Sequence, residues 1–210
     1  MASPFGHLAA GLGAYLVATA PSGAAPLRTA GFAAAVLFMA LVPDLMGIVE
    51  ASGQHQLLGS ANRGDIVAVM HGLTFGLLAS AAIAGALPGL RKVFWAAVLG
   101  LMAGHGSHLL LDALSRRGAP MLTPFDWTSR GLGVAILPDA DIRILWRPLI
   151  DAVRVVGVEM AVLLPLVWTA WILGRDSGES RSKARIGAFA LSWIGGAVAV
   201  WWSISHGGRV

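Results

Sequence analysis

The strongest constraint on this chain is its succession of apolar runs, at about residues 8–20, 29–49, 66–87, 93–114, 155–173 and 186–204. A helix rising 1.5 Å per residue needs about 20 apolar residues to cross the hydrocarbon core of a bilayer. Inside that core every backbone N–H and C=O must be bonded within the protein, which leaves helices as the natural form for such runs. The chain is therefore expected to be all-α, a polytopic transmembrane helix bundle of about six spans in a single integral membrane domain covering residues 1–210. Composition agrees: charged residues are 12% of the 210, against roughly a quarter in an ordinary soluble domain, and mean hydropathy is +0.72. The first run is the weakest and is closed by Pro21, Ser22 and Gly23. Ala18-Thr19-Ala20 has the small-residue form of a signal-peptide cleavage site, but no Lys or Arg precedes Arg28, so the basic n-region is missing and a retained span is expected.

The basic balance does not point to nucleic acid. Lys and Arg total 15 against 11 Asp and Glu, yet they are scattered between apolar runs rather than gathered in one stripe. Anionic lipid head groups are the expected counter-charge. Positive charges divide almost evenly between the two sides of a six-span arrangement, so they do not orient it. The stretch 115–154 is too long for a plain connection and is expected to lie in the interface. If it is helical near its end, Arg143, Arg147 and Arg154 form one basic face beside Ile144, Leu145, Trp146, Leu149 and Ile150. Such a face suits lipid phosphates or a phosphorylated substrate, and equally suits anchoring without catalysis. Gly72-x-x-x-Gly76 and Gly100-x-x-x-Gly104 are expected to bring the third and fourth spans close together. Trp168, Trp171, Trp193, Trp201 and Trp202 read as packing and interfacial anchors, and Glu159 is expected to face the bundle interior without a partner that the sequence names.

The chain has no cysteine and six histidines, so any metal site must be built from His and Asp or Glu. His7 opens the first run, Asp44 closes the second, His71 lies early in the third, and His105, His108 and Asp112 end the fourth. An ionisable group in hydrocarbon costs several kcal/mol when unpaired, which makes each of these a site candidate by default. In a six-span arrangement His7, Asp44, His71, His108 and Asp112 all fall near one face of the membrane. Positions 105, 108 and 112 lie within about 60° of one another around a helix. Two imidazoles and a carboxylate on such a face suit a hard or borderline cation, with His7, Asp44 and His71 arriving from neighbouring helices. The competing expectation is that each histidine caps a helix or bonds a nearby carbonyl. Asp141, in the long loop, is a weaker additional ligand candidate.

Gly106-Ser107-His108-Leu109-Leu110-Leu111-Asp112-Ala113-Leu114-Ser115, followed by Gly118 and Pro124-Phe125, resembles a segment of the membrane-bound metal-dependent hydrolases. That family is also described as LexA-binding and inner-membrane-associated. His7-Leu8-Ala9-Ala10-Gly11, Pro43-Asp44-Leu45 and Met70-His71-Gly72-Leu73-Thr74-Phe75-Gly76-Leu77-Leu78 are similar to its other motifs, in the same order. The resemblance covers roughly residues 1–141 and implies a bacterial inner-membrane protein. It also implies metal-dependent hydrolysis, with a divalent metal ion, zinc or manganese, on His7, Asp44, His71, His108 and Asp112 and with His105 as a candidate proton shuttle; the arginine-bearing loop adds the expectation of an anionic substrate, a lipid or another phosphate or acyl ester. Two positions depart from the pattern: Met46 stands where a second Asp is usual, and Phe75 where a second His is usual. These departures keep a non-catalytic structural or regulatory role with a vestigial site in play. A small transporter using His105, His108 and Asp112 as a relay is the remaining expectation. No residue motif here carries the association with LexA.

Overall fold

A computed structural model describes residues 2–19, 25–45, 63–115, 118–132, 136–138, 149–173 and 183–205. Its helices are α1 (Pro4–Thr19), α2 (Ala30–Leu41), α3 (Arg63–Met70), α4 (Leu73–Ala86), α5 (Pro88–Arg91), α6 (Phe94–Leu114), α7 (Leu149–Leu173) and α8 (Lys183–Ser205). Short 3-10 turns at Ala25–Arg28 and Val42–Asp44 flank α2. Among the described residues, three helical stretches are long and apolar enough to cross a membrane: Phe94–Leu114, Leu149–Ile172 and Ile186–Ser205. The other expected spans fall on shorter helices. α1 has 16 residues, while Ala30–Asp44 and Leu73–Ala86 are shorter apolar stretches. The third run is broken into α3 and α4 at His71-Gly72, and α7 starts at Leu149, inside the segment expected to be loop.

Local chemistry sets several of these boundaries. Thr29 caps α2, its hydroxyl accepting from Phe32 N at 3.2 Å. Pro43 lacks the N–H that would continue an α-helix, and α2 tightens there into the turn that carries Asp44. The last carbonyls of α6 are taken up by the chain that follows: Leu132 N donates to Ala113 O at 3.0 Å, and Ile136 N to Leu114 O at 3.0 Å, which satisfies acceptors that a helix end otherwise leaves orphaned.

α6 is the central element, packed on by α1, α2 and α4; α7 packs on α1 and α8. Phe32, Val36 and Met39 of α2 meet Ala97, Val98 and Leu101 of α6 in the main apolar core. The glycines explain how close these helices come. A Cβ on Gly100 would lie 2.7 Å from the Phe32 ring, and one on Gly104 would lie 2.5 Å from Val36 O. Gly100 and Gly104 thus receive α2 rather than the third span, which corrects the expected pairing. Gly76 does join the third span to α6, because a Cβ there would overlap the His105 ring. The turn Ala25–Arg28 touches α5 at one end of the bundle, and the polar residues collect at the other.

Candidate metal centre

Four helix ends meet there. α1 brings His7 on its first turn, the turn closing α2 brings Asp44, the break between α3 and α4 brings His71, and the last turns of α6 bring His108 and Asp112. His7, His108 and Asp112 are fully buried, with Asp44 6% and His71 2% exposed. His7 Nε2 lies 3.5 Å from Asp44 Oδ2 and 3.6 Å from Asp112 Oδ1. His71 Nε2 lies 3.4 Å from Asp112 Oδ2 and 3.8 Å from Asp44 Oδ1. His108 Nε2 lies 3.4 Å from Asp112 Oδ2 and 4.0 Å from Asp44 Oδ1. The His7 and His108 rings stack at 3.8 Å between centroids, and His71 meets His108 edge-on at 5.0 Å.

The outer nitrogens of His71 and His108 are held by backbone, whereas His7 Nδ1 makes no hydrogen bond among the described residues. His71 Nδ1 is 2.7 Å from Val67 O, one helical turn earlier. His108 Nδ1 is 2.8 Å from Ala40 O, one of the last four carbonyls of α2, which a helix does not itself satisfy. A neutral imidazole that donates from Nδ1 keeps its lone pair on Nε2, and that arrangement is the usual one for a metal-ligating histidine. Among the described residues, His7 Nε2, His71 Nε2 and His108 Nε2 are buried without a hydrogen-bond partner. Three buried imidazole nitrogens aimed at two carboxylates fit a divalent cation. With bonds of about 2.1 Å, tetrahedral ligand atoms stand about 3.4 Å apart, close to the shorter separations here. Two overlapping groups, His7–His108–Asp112 and Asp44–His71–His108, each hold their ligand atoms within 4.8 Å of one another.

His105 belongs to neither group. Its Nε2 is 3.1 Å from Gly72 O, so it braces the break that carries His71. Phe75, at the position where a second histidine is usual, lies 6.0 Å from His105 between ring centroids and outside the cluster. A strap from the long loop covers the same break: Thr123 Oγ1 donates to Ala68 O at 2.7 Å, and Leu73 N donates to Met121 O at 2.9 Å. Met46, Asp141, Arg143 and Arg147 lie outside the described residues, and Arg154 is exposed on α7. The sequence reading missed the two carbonyls that orient the rings. His71 and Val67 are one helical turn apart, a spacing that signals such a bond, whereas the Ala40 contact has no local signal. It also missed Ala2, whose N–H donates to Asp112 Oδ1 at 3.2 Å.

The family described as YdjM inner membrane protein matches residues 1–205. No curated protein and no solved structure matches the chain.

Proposed function

The chain belongs to the YdjM inner membrane protein family, and from that premise we propose that it is a metal-dependent hydrolase of the inner membrane, acting on a lipid or another phosphate or acyl ester. The observation that carries this reading is the convergence of three buried Nε2 atoms, none bonded to backbone, on Asp44 and Asp112. Three imidazoles and two carboxylates gathered at this depth from four helix ends are costly in an apolar surrounding, and two overlapping groups of them hold their ligand atoms close enough to share a cation.

The centre would hold one divalent cation, zinc or manganese. His108 is shared by both ligand groups, its Nδ1 is committed to Ala40 O, and one imidazole lone pair serves one metal. A bound divalent cation supplies Lewis acidity towards an ester oxygen and towards water. His7, His71 and His108 would be its nitrogen ligands, and Asp112 and Asp44 its carboxylates. Asp44 and His71, 6% and 2% exposed against none for the other three, lie on the side from which substrate would approach. His105 remains the candidate proton shuttle, while its Nε2 holds the break in place. On this reading the short helices α1, α2 and α4 cross with α6, α7 and α8 as six spans, and the centre lies at the membrane boundary. Exposed Arg154 and the basic residues before α7 favour an anionic substrate.

Phe75, turned towards His105 instead of the cluster, favours a second reading in which the site holds a metal but does not turn over. Elemental analysis of the detergent-purified chain, wild type beside the His108→Ala/Asp112→Ala double variant, tests both. One zinc or manganese per chain that disappears in the variant, with hydrolysis of a phosphate or acyl ester that disappears with it, is the expected result. Metal without any ester hydrolysis supports the second reading, and a wild type that holds no metal and takes none up overturns both.

A further inference from the structure

Glu159 of α7 is a fully buried carboxylate that belongs to neither ligand group. Its oxygens hold the start of α1: Ser3 N donates to Oε1 at 2.6 Å, and Ser3 Oγ donates to Oε2. Ser3 is in turn the cap of α1, its Oγ accepting from Gly6 N at 3.2 Å. Its carbonyl accepts from His7 N at 3.0 Å, and the neighbouring Ala2 N reaches Asp112 Oδ1 at 3.2 Å. A short chain of bonds therefore runs from a carboxylate on α7 to a nitrogen ligand on α1 and a carboxylate ligand on α6. Gly6 makes room for it, since a Cβ there would lie 2.9 Å from Glu159 Oε2.

Neither capping nor packing accounts for this carboxylate. Ser3 alone supplies the cap, and the contact between α1 and α7 has its own apolar filling, with Leu163 and Met160 of α7 beside Ala9 and Ala10 of α1. A carboxylate at this depth is costly, and what it adds is a fixed height and rotation for the first turn of α1. We propose that Glu159 is a positioning residue for the metal centre: through Ser3 it sets where His7 Nε2 stands relative to Asp44 and Asp112, and so tunes the affinity and coordination geometry of the site. The inference rests on the metal-centre reading above.

The test uses the full chain in detergent, with Glu159→Ala, Glu159→Gln and Ser3→Ala beside wild type. Three quantities are read: zinc affinity by competition with a chelator, the visible spectrum of the cobalt-loaded protein, and the imidazole nitrogen NMR signals of His7 without metal. Glu159→Ala is expected to weaken zinc binding roughly 10–100-fold, the usual scale for loss of an outer-shell support, to change the cobalt spectrum and to shift the His7 signals. Glu159→Gln keeps an acceptor for Ser3 N and is expected to recover most of the affinity. If Glu159→Ala does not fold, Ser3→Ala, which keeps the backbone bond and removes the hydroxyl link, is expected to move all three readouts in the same direction. Unchanged affinity, spectrum and His7 signals in the variants that fold would overturn the proposal, as would equal losses in the Ala and Gln variants, which would make charge and not placement the cause. Should wild type bind no zinc or cobalt, the metal reading fails by itself. The metal-free His7 signals then decide the positioning role: displacement in the variants supports it, and identity with wild type overturns it.

Discussion

A histidine ring has two nitrogens, and what the protein does with one decides what the other can do. His71 and His108 each spend Nδ1 on a backbone carbonyl and so turn Nε2 towards the carboxylates. Asparagine places its amide near the Nδ1 position and glutamine nearer that of Nε2. His108→Asn can still satisfy Ala40 O, yet it should bind zinc more weakly than His108→Gln. Both should lose more than the roughly 10–100-fold that an outer-shell loss costs, as chelator competition would measure. Affinities equal to wild type would refute Nε2 as a ligand atom. The cluster was legible in the sequence because ionisable groups within apolar runs stand out. His105 stood out for the same reason and shares the face of His108 and Asp112. The rise of the helix, however, puts it about 4.5 Å and about 10.5 Å along the axis from them, where it meets Gly72 O instead. Glu159 stood out too, but its partner did not, since Ser3 is 156 residues away and no periodicity links the two.

Between elements, glycine spacing shows that a helix has a flat face without showing which neighbour lies on it. Gly100 and Gly104 receive Phe32 and Val36 of α2, and Gly76 receives His105; the sequence pattern had paired all of these within two spans. The difference has consequences at the site, because α2 carries both Asp44 and the Ala40 carbonyl that orients His108. Gly104→Val would drive a side chain into Val36 O, 2.5 Å from the Cβ position, and force α2 away from α6. Overpacking of this kind costs about 1–3 kcal/mol. Thermal unfolding in detergent should register the loss, and metal content should fall with it. Gly106→Ala, two residues on and with nothing within 4 Å of its Cβ position, should lower neither, and its higher helix propensity favours a small gain in stability. A similar loss in the two variants would mean that the approach of α2 is not the cause, since both substitutions raise helix propensity. The break at His71-Gly72 was likewise invisible to hydropathy, which runs unbroken through it. Its cause is tertiary, in the bonds from Thr123, Met121 and His105 that take up backbone groups around the break.

Across the whole molecule, the bundle has two unlike ends. The centre and the loop strap lie at one, while the turn Ala25–Arg28 and α5 touch at the other. Hydropathy made the number of apolar runs legible but not their length as helices. Proline, capping residues and the docked loop trim α1, α2 and α4 below the roughly 20 residues of a full crossing, leaving α6, α7 and α8 as the long apolar helices. Six spans nevertheless require that Arg28 and Lys92 face one compartment and Phe125 the other, since α6 lies between Lys92 and Phe125. The chain has no cysteine, so Arg28→Cys, Lys92→Cys and Phe125→Cys each introduce a single thiol at an exposed position. Labelling with a membrane-impermeant maleimide, before and after the membrane is opened, should group the first two together and set Phe125→Cys apart. Labelling of all three from one side would mean that α6 does not cross, and the six-span reading would fall. With the expected grouping, the side that labels Phe125→Cys is also the side of Asp44 and His71, because the strap that carries Phe125 is bonded to the break beside His71. If the chain is the hydrolase proposed above, its substrate would reach the centre from that leaflet.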